Sequence, residues 1–539
     1  MKKLLSSGAF LVLVMYLTSS CHNIDVPVNT ELTPDIFPQN TSQFIQASGP
    51  PYAALRGNYA IDYWMIQSLS TDEAIMPARG GNWFDNQNYS MMHYHSWTPD
   101  HGWTNANWNW LSTVIGTTNQ ALSILGQTIP ATVTTKATNL AELKMVRALA
   151  YFMMMDLYGN VPIDTTYGDF KPRANVPRAQ VFSFIEKEVK AALPNLSKVT
   201  GQATYGRATQ YMAHALLAKM YLNAEYYTGT ERYNDAVVAC DNVISSGAYA
   251  LEPRASYLQM FYPNNGPQMK EFIFAIPYDP AAASLPGTNS NMYHGRYDLA
   301  RSLRAKFGLP FTPSAPRSTL PEFYAHFNDE NDIRNKQWLT GLQFMNDGTT
   351  PVTVKTTKKG YDQFYTGADG GAAFTYQVEL TPKIILRQDV ATFDVGNDEI
   401  GWNMGFRNIK FYPDATSTSR NQNNDIPVFR YSDIILMKAE AILRGGTATQ
   451  GQTALSLVNQ LRAVRTTSPA LASVNLEDIY AERSREFAWE AWHRNDMIRF
   501  GKYEGSWGFK TNEDTYRRIF PIPTSALTVN PALKQNPGY

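Results

Sequence analysis

The chain has 539 residues, 44% of them hydrophobic and 17% charged, and its 47 basic and 47 acidic side chains cancel to a net charge of zero. That length and apolar fraction describe a folded chain of several domains or one large elaborated domain, and the charge balance argues against a nucleic-acid binder, whose affinity comes largely from basic side chains on phosphates. Only two cysteines, Cys21 and Cys240, are present, so once Cys21 is accounted for the fold has no internal disulfide and must rest on packing.

At the N-terminus, Lys2 and Lys3 precede the apolar run GAFLVLVMYL, and TSSC sets small residues directly before Cys21. This is the layout of a secretory signal, too short to span a bilayer as a stable helix. Small residues before a cysteine resemble the bacterial lipobox, although Thr18 stands where leucine is usual. Residues 1–20 are therefore read as a lipoprotein signal peptide and Cys21 as the lipidated residue, held to a membrane by multiple acyl chains. Residues 21–40, rich in Pro, Asn and Thr, read as an extended tether. No later apolar run reaches transmembrane length.

The stretch from Thr71 to Trp110 holds five of the chain's 11 tryptophans among asparagines, aspartates and three histidines. Within it, ARGGNWFDNQN offers Arg79, a glycine pair that lets a loop project, Asn82, Trp83 and Asp85. A sugar ring has apolar C–H faces and a rim of hydroxyls, so its site needs an open aromatic face with polar groups around it. Trp83 lies in turn chemistry between Gly-Gly and Asp-Asn and is expected to be open. Trp108 and Trp110 lead into the helical run WLSTVIGTTNQALSIL and are expected to anchor it, while Trp97 and Trp103 fit either role. His93, His95 and His101 lack a metal-ligand frame such as HExxH and read as polar loop histidines.

Helical periodicity dominates the chain from Leu140 onward. LAELKMVRALAYFMMMDLYG sets Leu143, Val146, Leu149 or Ala150, Met153 and Leu157 along one stripe, and Gly159 stops it. VFSFIEKEVKAALPNL, ATQYMAHALLAKMYLNAEYY, RYNDAVVACDNVISSG, FRYSDIILMKAEAILRGG and QTALSLVNQLRAVR continue the pattern as helix, short break, helix. Such pairs resemble degenerate tetratricopeptide units, which bury a shared face by stacking. Cys240 falls in one of these runs as a small buried hydrophobe. Residues 262–427 break the pattern with Gly, Pro, Asn, Thr and Tyr, and a loop-rich region of that length is functional or disordered; its aromatics favour order, and EFIFAIPY and TPKIILRQ read as bracing strands. There GTNSNMYHGRYDLARS offers Asn291, Tyr293, Arg296 and Tyr297 as the wall opposite Trp83. GADGG at Gly367 lacks a strand–helix frame, no GxSxG elbow or P-loop occurs, and FNDENDIR lacks the glycine and terminal glutamate of a calcium loop and reads as a turn.

Toward the C-terminus, Glu482, Glu486 and Glu490 recur every four residues, which places them on one helix face. As a glycosidase acid and base they would stand across a cleft, but interleaved Arg483, Arg485, Arg494 and Arg499 would keep them ionised, so a structural ion-pair network is expected.

Five separated motifs, ELKMVRALAYFMMMDLYGNVPI, RATQYMAHALLAKMYL, VFRYSDIILMKAEAILR, AERSREFAWEAWHRNDMIRFGKY and FPIPTSALTVNPALKQNPGY, together resemble the SusD/RagB family of Bacteroidetes outer-membrane nutrient-binding lipoproteins, over nearly the whole mature chain. Arginine is common in the family where His493 stands and glutamate where Ala526 stands, whereas Arg494, Asp496 and Arg499 match. The resemblance implies a mainly α fold: a tetratricopeptide-like superhelix formed by residues 41–261 and 428–539, with 262–427 as a loop-rich insertion that contributes to glycan binding. It implies a non-catalytic protein without metal or cofactor, anchored in the outer membrane and facing the cell surface. Its expected partners are an oligo- or polysaccharide and a SusC-like TonB-dependent barrel on which it sits as a lid. It also supports Trp83 as a ligand contact, because similar proteins often place a binding tryptophan in this loop. A glycoside hydrolase and a scaffold that binds protein partners are the competing readings.

Overall fold

The computed structural model describes residues 37–127, 133–278, 294–314, 316–357, 373–387, 391–396, 398–417 and 421–539. Cys21 and most of the tether lie outside these residues, as do Asn291, Tyr293 and the GADGG turn.

The scaffold is helical. Helices α1 (Gly102–Gly126), α2 (Lys136–Tyr158), α3 (Arg178–Ala192), α4 (Gln210–Leu222) and α5 (Tyr233–Ile244) are followed, after the insertion, by α6 (Tyr431–Leu443), α7 (Ala454–Arg462), α8 (Leu476–Phe487) and α9 (His493–Arg499). They pack in relay: α1 on α2, α2 on α3, α4 on α5, α5 on α6 and α6 on α7. The apolar stripe of α2 widens to burial on every side from Leu143 to Tyr158, except Lys144, which makes it the central helix. Gly159 ends it at φ +71°, where a Cβ would also meet the Ile519 side chain at 3.3 Å. Ala213, Ala215, Ala236, Ala239 and Cys240 are buried between α4, α5 and α6, and their small size permits the close approach of the axes.

EFIFAIPY forms β1 (Phe272–Ile276), which pairs antiparallel with β2 (Ile426–Arg430) and so closes the whole insertion with one two-stranded ladder. β2 occupies the first residues of a run whose periodicity reads as helix: β-branched Ile426 and Val428 flank Pro427, and the helix begins only at Tyr431. TPKIILRQ is not a strand. Pro382 withholds a ladder N–H, and the described part of the run is held by the isolated bridge Thr381–Met404, by Arg387 N–H donating to the Asp394 carbonyl at 2.9 Å and by the Arg387–Asp398 ion pair. The insertion holds two-residue strand pairs, Trp338–Leu339 with Arg407–Asn408 and Gly341–Leu342 with Glu379–Leu380, and one longer hairpin, Thr353–Thr356 with Phe374–Gln377. Leu299, Leu303, Phe307, Val352, Val378 and Leu380 give it a small core of its own.

The three C-terminal glutamates do not share one helix. Helix α8 stops at Phe487, and Trp489 and Ala491 take φ of +65° and +62° before α9 begins. Tertiary bonds replace the helical ones: Trp489 N–H donates to Glu73 Oε1 at 2.7 Å, and Trp64 Nε1–H donates to the Trp489 carbonyl at 2.9 Å. Glu482 and Glu486 remain on α8, and Glu490 stands in the break. All three are buried in an ionic lattice drawn from remote segments. Glu482 meets Arg334 at 2.7 Å and Arg485 at 2.6 Å; Glu486 meets Arg430 at 2.9 Å, Arg334 at 3.0 Å and Arg465 at 3.1 Å; Glu490 meets Lys410 at 2.6 Å and Arg430 at 2.8 Å. Burial raises the Glu482 pKa, but Arg334 and Arg485 overcome it and hold the carboxyl at about 2. Of the interleaved arginines, Arg483 serves Asp433 and Asp496, Arg494 serves Asp156, and Arg499 serves Glu440 and Asp496.

Candidate functional site

After the buried segment Ser70–Ala78 the chain surfaces as a loop. Ala78 makes a parallel bridge to Asp394: its N–H donates to the Phe393 carbonyl at 2.8 Å and its carbonyl accepts from Val395 N–H at 3.0 Å. The Asp394 carboxylate then receives Gly80 N–H at 2.8 Å, Gly81 N–H at 2.7 Å and Gly396 N–H at 2.7 Å. Both loop glycines have positive φ, 61° and 79°, which presents their two N–H groups to one carboxylate. Beyond them Trp83, Asp85, Asn86 and Gln87 also have positive φ, between 41° and 66°. Each such non-glycine residue costs about 1 kcal/mol or more, so the loop persists because its surroundings hold it.

Trp83 is half-buried and stands edge-on to Tyr297, with ring centroids 5.4 Å apart and planes at 85°. Tyr297 lies on the short helix His294–Tyr297. The guanidinium of Arg296 is 5.0 Å from its ring centroid and that of buried Arg317 is 5.2 Å away. Arg317 is fixed by Asp298 at 2.8 Å and lies over Trp64 at 4.1 Å, so the wall behind Tyr297 belongs to the core. Around Trp83, Asn82, Phe84, Asp85, Asn86 and Gln87 are exposed. Asp85 accepts from Tyr89 Oη–H at 2.8 Å, and Asn82 Nδ2–H donates to the Arg79 carbonyl at 3.1 Å. The result is a ridge of two perpendicular rings rimmed by amides, one carboxylate and one guanidinium.

Arg79 departs from expectation. It is fully buried beneath the loop, donating to the Gly401 carbonyl at 2.6 Å and the Pro316 carbonyl at 3.3 Å, and has no surface to offer a ligand. A Cβ on Gly401 would lie 2.5 Å from the Val395 carbonyl oxygen, so only glycine fits where Arg79 is received. Arg79 also approaches Trp402 at 6.0 Å, while exposed Arg301 covers that ring at 4.6 Å. Sequence periodicity carried no sign of Trp402 or Arg301, because they reach this face from separate parts of an aperiodic insertion.

The other tryptophans and the histidines are packing residues. Trp97 is buried, with Nε1–H on Tyr539 Oη at 2.8 Å; Trp108 lies edge-on to Tyr158 at 5.0 Å; Trp110 donates to the Ala54 carbonyl at 2.8 Å; Trp103 is half-buried against Tyr89. His93, at the end of the short helix Asn88–His93, and His95 and His101, in the turn and loop that follow, are all buried, with His95 Nε2 2.8 Å from the Ser70 carbonyl and His101 Nε2 3.0 Å from that of Asn88. Burial, with Lys510 nearby, pushes the His93 pKa down to about 3, so these rings are neutral wedges. Among the described residues no group of three or more His, Cys, Asp or Glu side chains could hold a metal ion. FNDENDIR is a turn: Asp332 accepts from Arg334 N–H at 2.9 Å, and Asp329 from Thr466 Oγ1–H at 2.8 Å and Ser468 Oγ–H at 2.7 Å.

These features define a helical-repeat scaffold that presents a loop-borne aromatic face, and the chain belongs to the SusD family, whose model matches residues 214–539. A second family model, described as starch-binding associating with outer membrane, matches residues 57–222. Among relatives, the chain is similar to the starch-binding protein SusD of Bacteroides thetaiotaomicron, at 24% identity with 100% of this chain and 99% of that protein covered. It is also similar to the SusD-like protein P38 of Formosa agariphila, at 25% identity over 74% of each chain. Among solved structures it shares its fold with a laminarin-binding SusD-like protein, with TM-score 0.71, 20% identity and coverage of 93% of this chain and 100% of that one. The same holds for surface glycan-binding protein A of Bacteroides thetaiotaomicron in complex with laminarihexaose, with TM-score 0.70, 19% identity and coverage of 92% and 100%. The tetratricopeptide-like fold expected from helix periodicity is the fold observed.

Proposed function

We propose that this protein is a non-catalytic, outer-membrane glycan-binding lipoprotein that captures an oligo- or polysaccharide with the Trp83–Tyr297 ridge and serves as the lid of a SusC-like TonB-dependent barrel. The observation that carries the binding role is Trp83 itself, a half-buried ring on a strained loop pinned from below by Asp394. A core tryptophan needs no such loop, whereas a stacking platform needs a ring fixed before the ligand arrives, so that binding does not pay for ordering it. Asn82, Asp85 and Arg296 are its polar contacts; Asn291 and Tyr293 stay candidate contacts on the sequence alone and lie outside the described residues. Residues 262–427 contribute the wall and the scaffold supports it. Relatives named for starch and for laminarin support a glycan as ligand. Against a hydrolase, Glu482, Glu486 and Glu490 are buried among cations, and the surrounding arginines hold the Glu482 and Glu486 carboxyls below the usual range, the wrong direction for a general acid. The lipobox-like TSSC and the polar tether support an anchor at Cys21 on the cell surface.

Calorimetric titration of Trp83→Ala against a glycan the wild type binds tests the site. We expect at least a tenfold loss of affinity, about 1.4 kcal/mol, with little change in melting temperature. Wild-type affinity in the variant would make the loop structural, and reducing ends released by pure wild-type protein would establish an enzyme.

A further inference from the structure

Continuing from the platform, the segment 296–306 carries Arg296, Arg301, Arg304 and Lys306 against one acid, Asp298. That acid does not balance them: it is buried, engaged by Arg317 at 2.8 Å and His294 at 3.2 Å. Arg301 is exposed, its guanidinium supported by the Trp402 ring at 4.6 Å. Arg304 is exposed too and donates to the carbonyls of Leu309 at 3.0 Å and Pro310 at 2.8 Å, which orients its charge without cancelling it. Neither arginine, nor Lys306, pairs with a carboxylate among the described residues. Of the acids nearby, Asp398 is paired with Arg387, Asp85 and Asp394 accept only from neutral donors, and Glu399 shares the short helix Glu399–Asn403 with Trp402, so the four cations of 296–306 outnumber the acids left to face them.

In a chain of zero net charge this is a local excess of cations beside an aromatic ridge. The hydroxyls of a neutral sugar are served by Asn82, Asp85 and Arg296 around Trp83 and leave the added charge of Arg301, Arg304 and Lys306 unmatched. A carboxylate or sulfate ester is matched by the planar fork of a guanidinium, which can donate two parallel hydrogen bonds to it. Arg79, whose guanidinium lies 6.0 Å from the Trp402 ring centroid, ties the Arg301 position to the Trp83 loop.

We infer that the glycan taken by this face is acidic, bearing uronate or sulfate groups, and that Arg301, supported on Trp402, is the specificity-determining cation; this rests on the glycan-binding reading of the same face. The test is a titration of wild type, Arg301→Gln and Trp83→Ala with polygalacturonate, alginate and chondroitin sulfate, beside starch, laminarin, xylan and carboxyl-reduced polygalacturonate, at about 0.05 M and 0.5 M salt. An acidic polymer should bind, with its neutral counterparts weaker. Arg301→Gln should weaken it about fivefold or more at low salt and flatten its salt dependence, at unchanged melting temperature, and Trp83→Ala should weaken it as well. Binding of a neutral polymer that depends on Trp83 and ignores Arg301→Gln overturns the acidic inference and leaves the glycan reading standing. Acidic binding indifferent to Arg301→Gln removes Arg301 from the role. No binding of any polymer overturns both readings.

Discussion

Trp108 is 6% exposed and edge-on to Tyr158 at 5.0 Å, so nearly all its surface is already given to the folded state, whereas Trp83 keeps part of its ring open. Trp108→Ala should therefore cost about 3–5 kcal/mol of folding free energy, read as a clear drop in melting temperature, with binding altered only through unfolding; an unchanged melting temperature would contradict its place in the core. A second residue makes a prediction about pH. His493 is buried with Nε2 2.6 Å from Asp72 Oδ1, and Glu73 and Asp496 are further negative charges around it. Burial lowers its pKa, but Asp72 overcomes this and the net shift is upward. A pKa raised in the folded state means the charged pair contributes fully below the unfolded value of about 6.5 and is lost as pH rises through the folded one. Wild-type melting temperature should fall as pH climbs above that range through mild alkali, and His493→Arg, which keeps its charge, should flatten the fall. Identical pH profiles for the two proteins would refute the pairing.

At the scale of elements, the break Ala488–Trp492 and the loop Arg79–Gln87 are both shaped by partners far away in sequence. Glu486, at the end of α8, holds Arg334, Arg430 and Arg465 together. Glu486→Gln leaves three buried guanidiniums short of a carboxylate and should cost about 3–5 kcal/mol, measured by thermal or urea unfolding; a loss below about 1 kcal/mol, the range of exposed pairs, would mean the lattice is solvated. The loop depends in the same way on Asp394. Asp394→Asn exchanges one carboxylate oxygen for a donor, so an N–H of Gly80 or Gly81 loses its acceptor. Hydrogen exchange should quicken at those two amides, and glycan affinity should drop severalfold although Asp394 is buried beneath the site. Unchanged exchange would show that the loop holds its own shape.

For the whole molecule, the ladder between β1 and β2 returns the chain from the insertion to the scaffold, so the loops of the proposed site are mounted on a body whose core spans both helical halves. In the proposed function that body is what the lipid at Cys21 anchors. Cys21→Ala should yield a folded protein that no longer labels with palmitate or fractionates with membranes when the barrel partner is absent; retention of the variant in that fraction would refute lipidation at Cys21.

Helix identity was legible in the sequence because periodicity is a local property: the stripe from Leu143 to Leu157 and the stop at Gly159 need no knowledge of the rest of the chain. The loop around Trp83 was legible for the same reason, since a glycine pair on one side and Asp-Asn on the other describe a turn, but the ring expected to be open is half-buried against the core. What the tertiary structure alone decided was partnership. Arg79 reads as a polar loop residue until Gly401 and Pro316 supply the carbonyls that bury it, and the histidines read as solvent-facing until the aromatic core closes over them. Glu490 reads as a third helical turn until Glu73 and Trp64 claim Trp489 and end the helix. Trp402 and Arg301 gave no signal, because the sequence between them has no period. A buried hydrogen bond or ion pair between remote segments leaves no pattern along the chain, and those contacts set which polar side chains stay at the surface.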